Sequence, residues 1–249
     1  MIILGVDLAL NSMGCAGLRF EDYPDGKIHL GSEDVTEIRG YRAKLNLHFA
    51  AMNSVLQNVQ ADPKEVVIIF KERAIYIPRT PTTSLKIIKM QGAFEHTVLA
   101  PQSRVIKCFD IMPTVWKAVN ASHTRNKAAT AVFFSELYGT QASNDHEGDG
   151  MGLMDFGIRL YRLLQNDSEI KTLTTQKGIT SIMKWMIRVL CNAKIMQFRF
   201  ANRRKTKIAY MEEEFTFGDI ADLIMEDPHT RNQVFEFFFK EESFSECYF

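Results

Sequence analysis

Apolar positions along the first two thirds of the chain follow two patterns, short runs of strand length and stripes at helical spacing. The first run, MIILGVD, ends at Asp7 and is followed by a tight turn and a second run, GCAGLRF. Together with the turn and run in DGKIHLGSEDV, these segments predict a meander of three antiparallel strands. The continuous apolar run EVVIIFKE is typical of a strand buried on both faces, and SRVIKCFD predicts a further strand.

Helical stripes alternate with and follow these strands. Apolar residues recur every three to four positions in RAKLNLHFAAMNSVLQNV, TSLKIIKMQGAFEHTVLA, PTVWKAV, TRNKAATAVFFSELYG and DHEGDGMGLMDFGIRLYRLL. This order predicts an α/β fold, with a mixed five-stranded sheet flanked by helices. We expect this domain to span residues 1–165, with a linker at 166–178 and a mainly helical extension at 179–249.

Composition adds a charge asymmetry that the net charge of zero hides. Residues 171–210 contain ten Lys and Arg and no Asp or Glu, whereas residues 211–249 contain two Lys and Arg and eleven Asp and Glu. The basic block includes Trp185, Phe198 and Phe200, a mixture that suits a phosphate backbone but also an amphipathic helix packed on the core. The acidic, aromatic block argues against DNA contact and favours burial on the body or on a partner subunit.

Targeting signals and cysteine spacing point to the cytoplasm. The four cysteines are widely separated, which makes a zinc site unlikely and indicates a reducing compartment. The first residues lack a basic n-region, and no segment has the length of uncharged apolar residues that a membrane helix needs. We therefore predict a cytoplasmic protein without membrane association, in the host cytoplasm if the source is viral.

Three acidic residues share a similar placement in the predicted elements. Asp7 and Glu72 each end a strand, and Asp149 lies near the start of a helix in HEGDGMGL. Such ends meet at one edge of a sheet, where clustered carboxylates repel one another unless cations lie between them. Mg²⁺ or Mn²⁺ fits oxygen ligands, and two such ions suit in-line displacement at a phosphodiester. Each acid taken alone is also a common turn or capping residue.

Five segments resemble the RuvC-like Holliday-junction resolvases of the RNase H-like superfamily, in the order of that family. LGVDLALNSMGCAGL resembles the first strand with its metal-binding acid, and VVIIFKERAIY resembles the strand that carries the second acid. SLKIIKMQGAFEHTVLA resembles the following helix, PTVWKAVNASHTRNKAAT the segment leading to a lysine, and HEGDGMGL the closing acidic motif. The resemblance runs from Met1 to about Leu164, and the tail beyond it points to a phage or viral member with a C-terminal extension.

The resemblance implies a set of site residues. Asp7, Glu72 and Asp149 become catalytic metal ligands for two Mg²⁺ or Mn²⁺ ions, and Lys127 the lysine that neutralises the scissile phosphate or supports the attacking water. His146 stands where the family pattern has Asp, and an imidazole nitrogen is able to complete the metal site. Asp145 and Glu147 are alternatives for that role. Gly150 and Gly152 stand where Ala is usual, so we expect close packing there to offset the cost of glycine in a helix.

DNA contacts are expected around the second acid. The candidates are Arg73, Tyr76, Arg79, Lys86 and Lys89. The basic side chains would contact phosphates, and Tyr76 would insert at the junction crossover. The alternative for Tyr76 is packing on its own domain.

The implied activity is resolution of four-way DNA junctions by paired phosphodiester hydrolysis. Two cuts require two active sites, so a homodimer is expected, with the helix SLKIIKMQGAFEHTVLA as its interface and no small-molecule cofactor. A broader nuclease acting on flaps or other branched DNA remains open, as does a non-catalytic module that binds junctions or RNA. An actin-like nucleotide-binding fold is disfavoured because its further glycine-rich phosphate loops are missing from the sequence.

Overall fold

The computed structural model describes residues 1–23, 26–59, 61–62, 64–98, 106–119, 127–240 and 246–248. The strands are β1 (Ile2–Leu8), β2 (Ser12–Arg19), β3 (His29–Asp34), β4 (Val67–Glu72), β5 (Ile106–Ile111), β6 (Arg199–Phe200), β7 (Ile208–Tyr210), β8 (Glu213–Phe215) and β9 (Glu246–Tyr248). The helices are α1 (Tyr41–Asn58), α2 (Pro81–Val98), α3 (Pro113–Val119), α4 (Lys127–Tyr138), α5 (Asp145–Leu164), α6 (Ile170–Leu173), α7 (Gln176–Ala193), α8 (Phe217–Glu226) and α9 (Pro228–Phe239).

The main sheet is mixed and has the strand order β3-β2-β1-β4-β5-β9. The first three strands pair antiparallel, whereas β4 is parallel to β1 and to β5. The predicted α/β fold with antiparallel and parallel strands in one sheet is therefore confirmed, and helices cover both of its faces. A sixth strand, β9, extends the predicted five by pairing parallel with β5.

Alternation along the strands separates two buried layers. On β1, Ile2 and Leu4 pack into the layer beneath α1 and α2, and Ile3 packs into the layer beneath α5. On β4, Ile69 belongs to the first layer and Phe70 to the second. Because successive side chains of a strand point to opposite faces, the side chain of Asp7 shares the α5 face with that of Ile3.

Helix α5 lies unusually close to the sheet because glycines line the contact. A Cβ atom added at Gly5 would overlap the carbonyl oxygen of Gly150, and one added at Gly14 would overlap the backbone of His146. Gly152 lies against the ring of Trp116. The close packing expected at Gly150 and Gly152 is therefore present, and it brings the first turns of α5 onto β1 and β2.

The chain beyond α5 continues the same core. Trp185 of α7 is buried among Phe70, Phe109 and Phe156, and its indole Nε1 donates to the carbonyl oxygen of Asp110 at 2.9 Å. The segment expected to be a linker contains α6 and the start of α7. The division into a domain, linker and extension stays a prediction.

The extension also contains strands that the sequence pattern did not indicate. Strands β6, β7 and β8 form a small antiparallel sheet. Within the described ranges, no helix combines the length and apolar character that crossing a bilayer requires.

Candidate active site

The register of the central strands places two of the predicted acids side by side. β1 and β4 are parallel, with Val6 opposite Lys71. One residue further along each strand stand Asp7 and Glu72, so both carboxylates lie at neighbouring positions on the α5 face. Asp7 is 8% exposed, and Glu72 is partly buried at the end of β4.

The third acid comes from the helix above them. Asp149 is 4% exposed and lies in the second turn of α5, next to Gly150, whose backbone touches that of Gly14. Asn144 caps the start of the helix, because its side-chain oxygen accepts the backbone N–H of Glu147 at 2.9 Å. The cap and the glycine contacts together fix the distance between the first turns of α5 and β1.

The charges of Asp7 and Asp149 act on Glu72. Burial raises the pKa of Glu72, and the charges of Asp7 and Asp149 raise it further, to about 7. A hydrogen bond from Trp116 and the charge of Lys117 lower the pKa but do not cancel these effects. Three acids separated by long stretches of sequence therefore lie near enough for two of them to raise the pKa of the third.

His146 sits between two elements of this edge. Its Nδ1 is 2.6 Å from Oδ2 of Asp7, and its Nε2 is 2.7 Å from Oγ of Ser12. A carboxylate only accepts, so Nδ1 carries the proton, and in the neutral ring Nε2 accepts from the hydroxyl of Ser12. The imidazole is thus oriented by Asp7, and Nε2 would exchange Ser12 for an ion if it became a ligand.

The sequence pattern did not identify three residues that act on Glu72. Trp116 donates its indole N–H to Oε2 of Glu72 at 2.9 Å. The side chain of Gln91 donates to the carbonyl oxygen of Glu72 and accepts the backbone N–H of Ala74. Lys117 acts on the carboxylate through its charge. The tryptophan in PTVWKAV, directly after a strand, was the available signal for the first of these contacts.

The two alternatives to His146 lie in different surroundings. Glu147 is buried, and its carboxylate accepts from Ser32 at 2.7 Å and from the backbone and hydroxyl of Ser143 at 2.7 and 2.8 Å. Both of its oxygens are therefore engaged, one joining α5 to β3 and the other contacting the residue before the helix cap. Asp145 is exposed at the first position of α5.

The remaining predicted residues lie along the route from β4 to α2, apart from Lys127. Lys127 begins α4, but its side chain lies outside the described residues. Arg73, Arg79, Lys86 and Lys89 are exposed, and Tyr76 is 51% exposed in the loop before α2.

The donor set has the chemistry of a site for a hard divalent ion. Carboxylate oxygens are the ligands that Mg²⁺ prefers, and the raised pKa of Glu72 measures a repulsion that a dication would relieve. In the described part of the chain, no group of three or more His, Cys, Asp or Glu side chains has the arrangement that holds an ion. The charge and the ligand chemistry of these residues thus fit such an ion. Their side chains are not arranged as a closed coordination shell.

Two solved structures are similar to part of this chain. No family model and no curated protein matches the sequence. A solved structure of T. thermophilus RuvC in complex with a Holliday junction substrate matches with 14% identity and a TM-score of 0.44, over 62% of this chain and 90% of that chain. A second Thermus thermophilus RuvC structure matches with 16% identity and a TM-score of 0.40, over 62% and 91%.

Proposed function

We propose that this protein is a metal-dependent endonuclease that hydrolyses phosphodiester bonds in branched DNA, with the four-way junction as its preferred substrate. One observation carries the proposal. Asp7, Glu72 and Asp149 come from distant parts of the sequence, and the charges of the first and last raise the pKa of Glu72 at a shared sheet edge. Such a cluster suits divalent cations and the reactions that they support.

In this proposal, Asp7, Glu72 and Asp149 hold two Mg²⁺ or Mn²⁺ ions, with His146 as a further ligand. When bound, such ions activate water and stabilise the leaving oxygen of a phosphodiester. Trp116 and Gln91 hold Glu72 in place through their hydrogen bonds. Lys127 is assigned to the scissile phosphate.

The proposed DNA surface begins directly after Glu72. Arg73, Arg79, Lys86 and Lys89 are exposed and would contact backbone phosphates, which position the duplex. Tyr76 projects from the loop with half of its surface exposed and would stack on a base at the crossover.

A homodimer would supply the second active site that paired cleavage requires. Helix α2 exposes Leu85 at 49% and Ile88 at 39%, and the neighbouring loop exposes Ile75 at 45% and Ile77 at 50%. Met90, which the sequence placed on the same stripe, is instead buried. The exposed aliphatic residues are the surface that we assign to the second copy.

A cytoplasmic location completes the proposal. Cys15, Cys108 and Cys191 are buried free thiols, the state that a reducing compartment maintains.

Cleavage assays on a substrate panel test the activity. End-labelled four-way junction, flap and linear duplex are incubated with the protein in Mg²⁺ and in EDTA. We expect symmetric cuts in the junction with Mg²⁺, and binding without cutting in EDTA. Equal cutting of flap and junction would replace junction resolution by a broader branched-DNA nuclease, and binding without any cutting would indicate a non-catalytic module.

Asp7→Asn tests the assignment of the site itself. The variant removes one charge at nearly constant shape, and we expect it to bind the junction without cutting it. Asp222→Asn is the matched control, because it makes the same chemical change at an exposed position of α8. Cutting by Asp7→Asn at the rate of the parent would overturn the assignment.

A further inference from the structure

A cleft of about 360 Å³ lies beside the candidate active site, between the ends of β4 and β5 and the C-terminal half of α7. Four cationic residues line it: Arg73 from the end of β4, Arg188 from α7, and Arg204 and Lys205 from the loop between β6 and β7. We call this the basic cleft. Three of its four cations come from the extension, so the cleft exists only because that part of the chain packs on the sheet.

The cleft keeps a positive character although Asp110 also lines it. The carboxylate of Asp110 accepts from the buried ammonium of Lys71, and its backbone carbonyl accepts from Trp185. Arg73, Arg188, Arg204 and Lys205 are all exposed. The charge of Asp110 is therefore compensated by Lys71 inside the fold, and the four cations of the cleft are exposed to solvent.

Aromatic rings orient two of the cations. The guanidinium of Arg188 lies 5.6 Å from the ring centroid of Phe217, and the ammonium of Lys205 lies 4.9 Å from that of Phe200. A ring face holds a cation in position without cancelling its charge, unlike a carboxylate. The cleft thus presents charge that is placed in advance for an anion.

The cleft and the acidic edge are built from neighbouring residues of the chain. Arg73 follows Glu72 directly in the chain, and Val115 in the wall precedes Trp116, which donates to Glu72. A nucleic-acid strand held at the three acids would meet the basic cleft next along its backbone.

We infer that the basic cleft binds backbone phosphates of the DNA arm that flanks the cleavage site. This inference rests on the proposed function for the identity of the ligand, branched DNA. It adds a contact surface supplied by the extension, outside the loop and helix that follow Glu72. Phosphate contacts of this kind increase affinity without reading sequence, and they make binding dependent on salt.

Binding in EDTA separates this cleft from the chemistry of cleavage. Fluorescence anisotropy with a labelled four-way junction is measured over a series of salt concentrations for the parent and for the double variant Arg188→Gln, Arg204→Gln. We expect roughly tenfold weaker binding by the variant, and a decrease of about 1 to 2 in the slope of log affinity against log salt concentration.

The matched control removes the same charge elsewhere. Lys177→Gln together with Lys27→Gln changes two exposed lysines, one at the opposite end of α7 from the cleft and one before β3. This control should bind with the affinity and salt dependence of the parent. Equal melting temperatures of both double variants verify that folding is unchanged.

The possible outcomes distinguish the two proposals. If the Arg188, Arg204 variant binds with the affinity and salt slope of the parent, or if the parent itself does not bind the junction, the cleft assignment is overturned. If binding depends on the cleft but the parent does not cut with Mg²⁺, the cleft stands and the nuclease proposal fails. If the parent cuts and only the cleft variant loses affinity, both stand.

Discussion

Two neighbouring residues of β4, Lys71 and Glu72, lie in two different clusters of acids. In the first cluster the acids surround a cation, and in the second they surround another acid. The side chain of Lys71 points towards α2, where its ammonium contacts the carboxylates of Glu95, at 2.7 Å, and Asp110. Burial lowers the pKa of Lys71, but Cys108, Asp110 and Glu95 together raise it well above its ordinary value. Glu72 points to the other face, where Asp7 and Asp149 add negative charge and its pKa rises to about 7.

The difference shows how a cluster for an external cation is distinguished from a structural one. The Lys71 cluster contains its own cation, which contacts both carboxylates. At Glu72, the hydrogen bond from Trp116 and the charge of Lys117 lower the pKa, but it stays raised. A buried acid whose pKa stays raised destabilises the fold when it is charged, so it is expected where a ligand completes it.

The largest expected effect is on catalysis. Glu72→Gln removes a proposed metal ligand, and we expect cleavage of the junction to fall by about 1,000-fold, since a metal ion contributes several kcal/mol to transition-state stabilisation. The melting temperature without metal should not fall, because the substitution also removes charge repulsion. Single-turnover cleavage and thermal unfolding measure the two quantities. A large loss of stability would mean that Glu72 is a structural acid like Glu95.

Substitution in the Lys71 cluster should lower stability. Asp110→Asn takes one anion from the buried ammonium of Lys71, and we expect the free energy of unfolding to decrease by about 3 kcal/mol. Urea denaturation measures this change. Glu236→Gln breaks the exposed pair with Lys240 and should leave stability nearly unchanged. Similar effects of both substitutions would contradict the structural role of the Lys71 cluster.

Stability in the absence of metal should depend on the protonation of Glu72. The pKa of Glu72 is about 7 in the folded state, against an ordinary value of 4.5. Between these values the folded state holds a proton that the unfolded state has lost, so raising the pH favours unfolding. We expect this group to lower the free energy of unfolding by about 2 kcal/mol between pH 5 and pH 8.

Comparison with Glu72→Gln isolates that contribution. Burial lowers the pKa of His48 to about 4, and this histidine adds a slope of the opposite sign at acidic pH in both proteins. The difference between the two stability curves should therefore grow from pH 5 to pH 8. Parallel curves would show that the acids are not coupled.

The smallest effect is stabilisation by the ion. At a Mg²⁺ concentration ten times the dissociation constant, we expect the free energy of unfolding of the parent to rise by about 1.4 kcal/mol. Asp7→Asn should lose most of this increase, whereas Asp222→Asn should keep it. Thermal unfolding with and without Mg²⁺ gives the comparison, and equal stabilisation of all three proteins would place the ion elsewhere.

Much of the fold follows from periodicity alone. The runs that become β1 and β4 are apolar on both faces, so their burial and their terminal acids, Asp7 and Glu72, are visible in the sequence. The start of α5 can also be predicted from the sequence, because Asn144 and the acids after it are typical of a helix start. These features depend on local pattern, which the sequence contains directly.

Other parts of the site depend on contacts that local pattern does not encode. Trp116 reaches Glu72 from a different element, and Ser12 reaches His146 from β2. Strands β6 and β7 have only two and three residues, too few to show an alternation. The basic cleft depends on long-range packing, because the loop between these strands lines it together with residues of α7 and the residue after β4.

The main sheet is complete only after β9 has paired with β5. The hydrogen bonds along the outer side of β5, at residues 107 to 109, form with residues 246 to 248. A nascent chain emerging from the ribosome therefore exposes that sheet edge until residues 246 to 248 have been synthesised. Unpaired edges recruit other strands, so slow elongation through the extension should favour aggregation, and a chaperone that shields extended segments should suppress it.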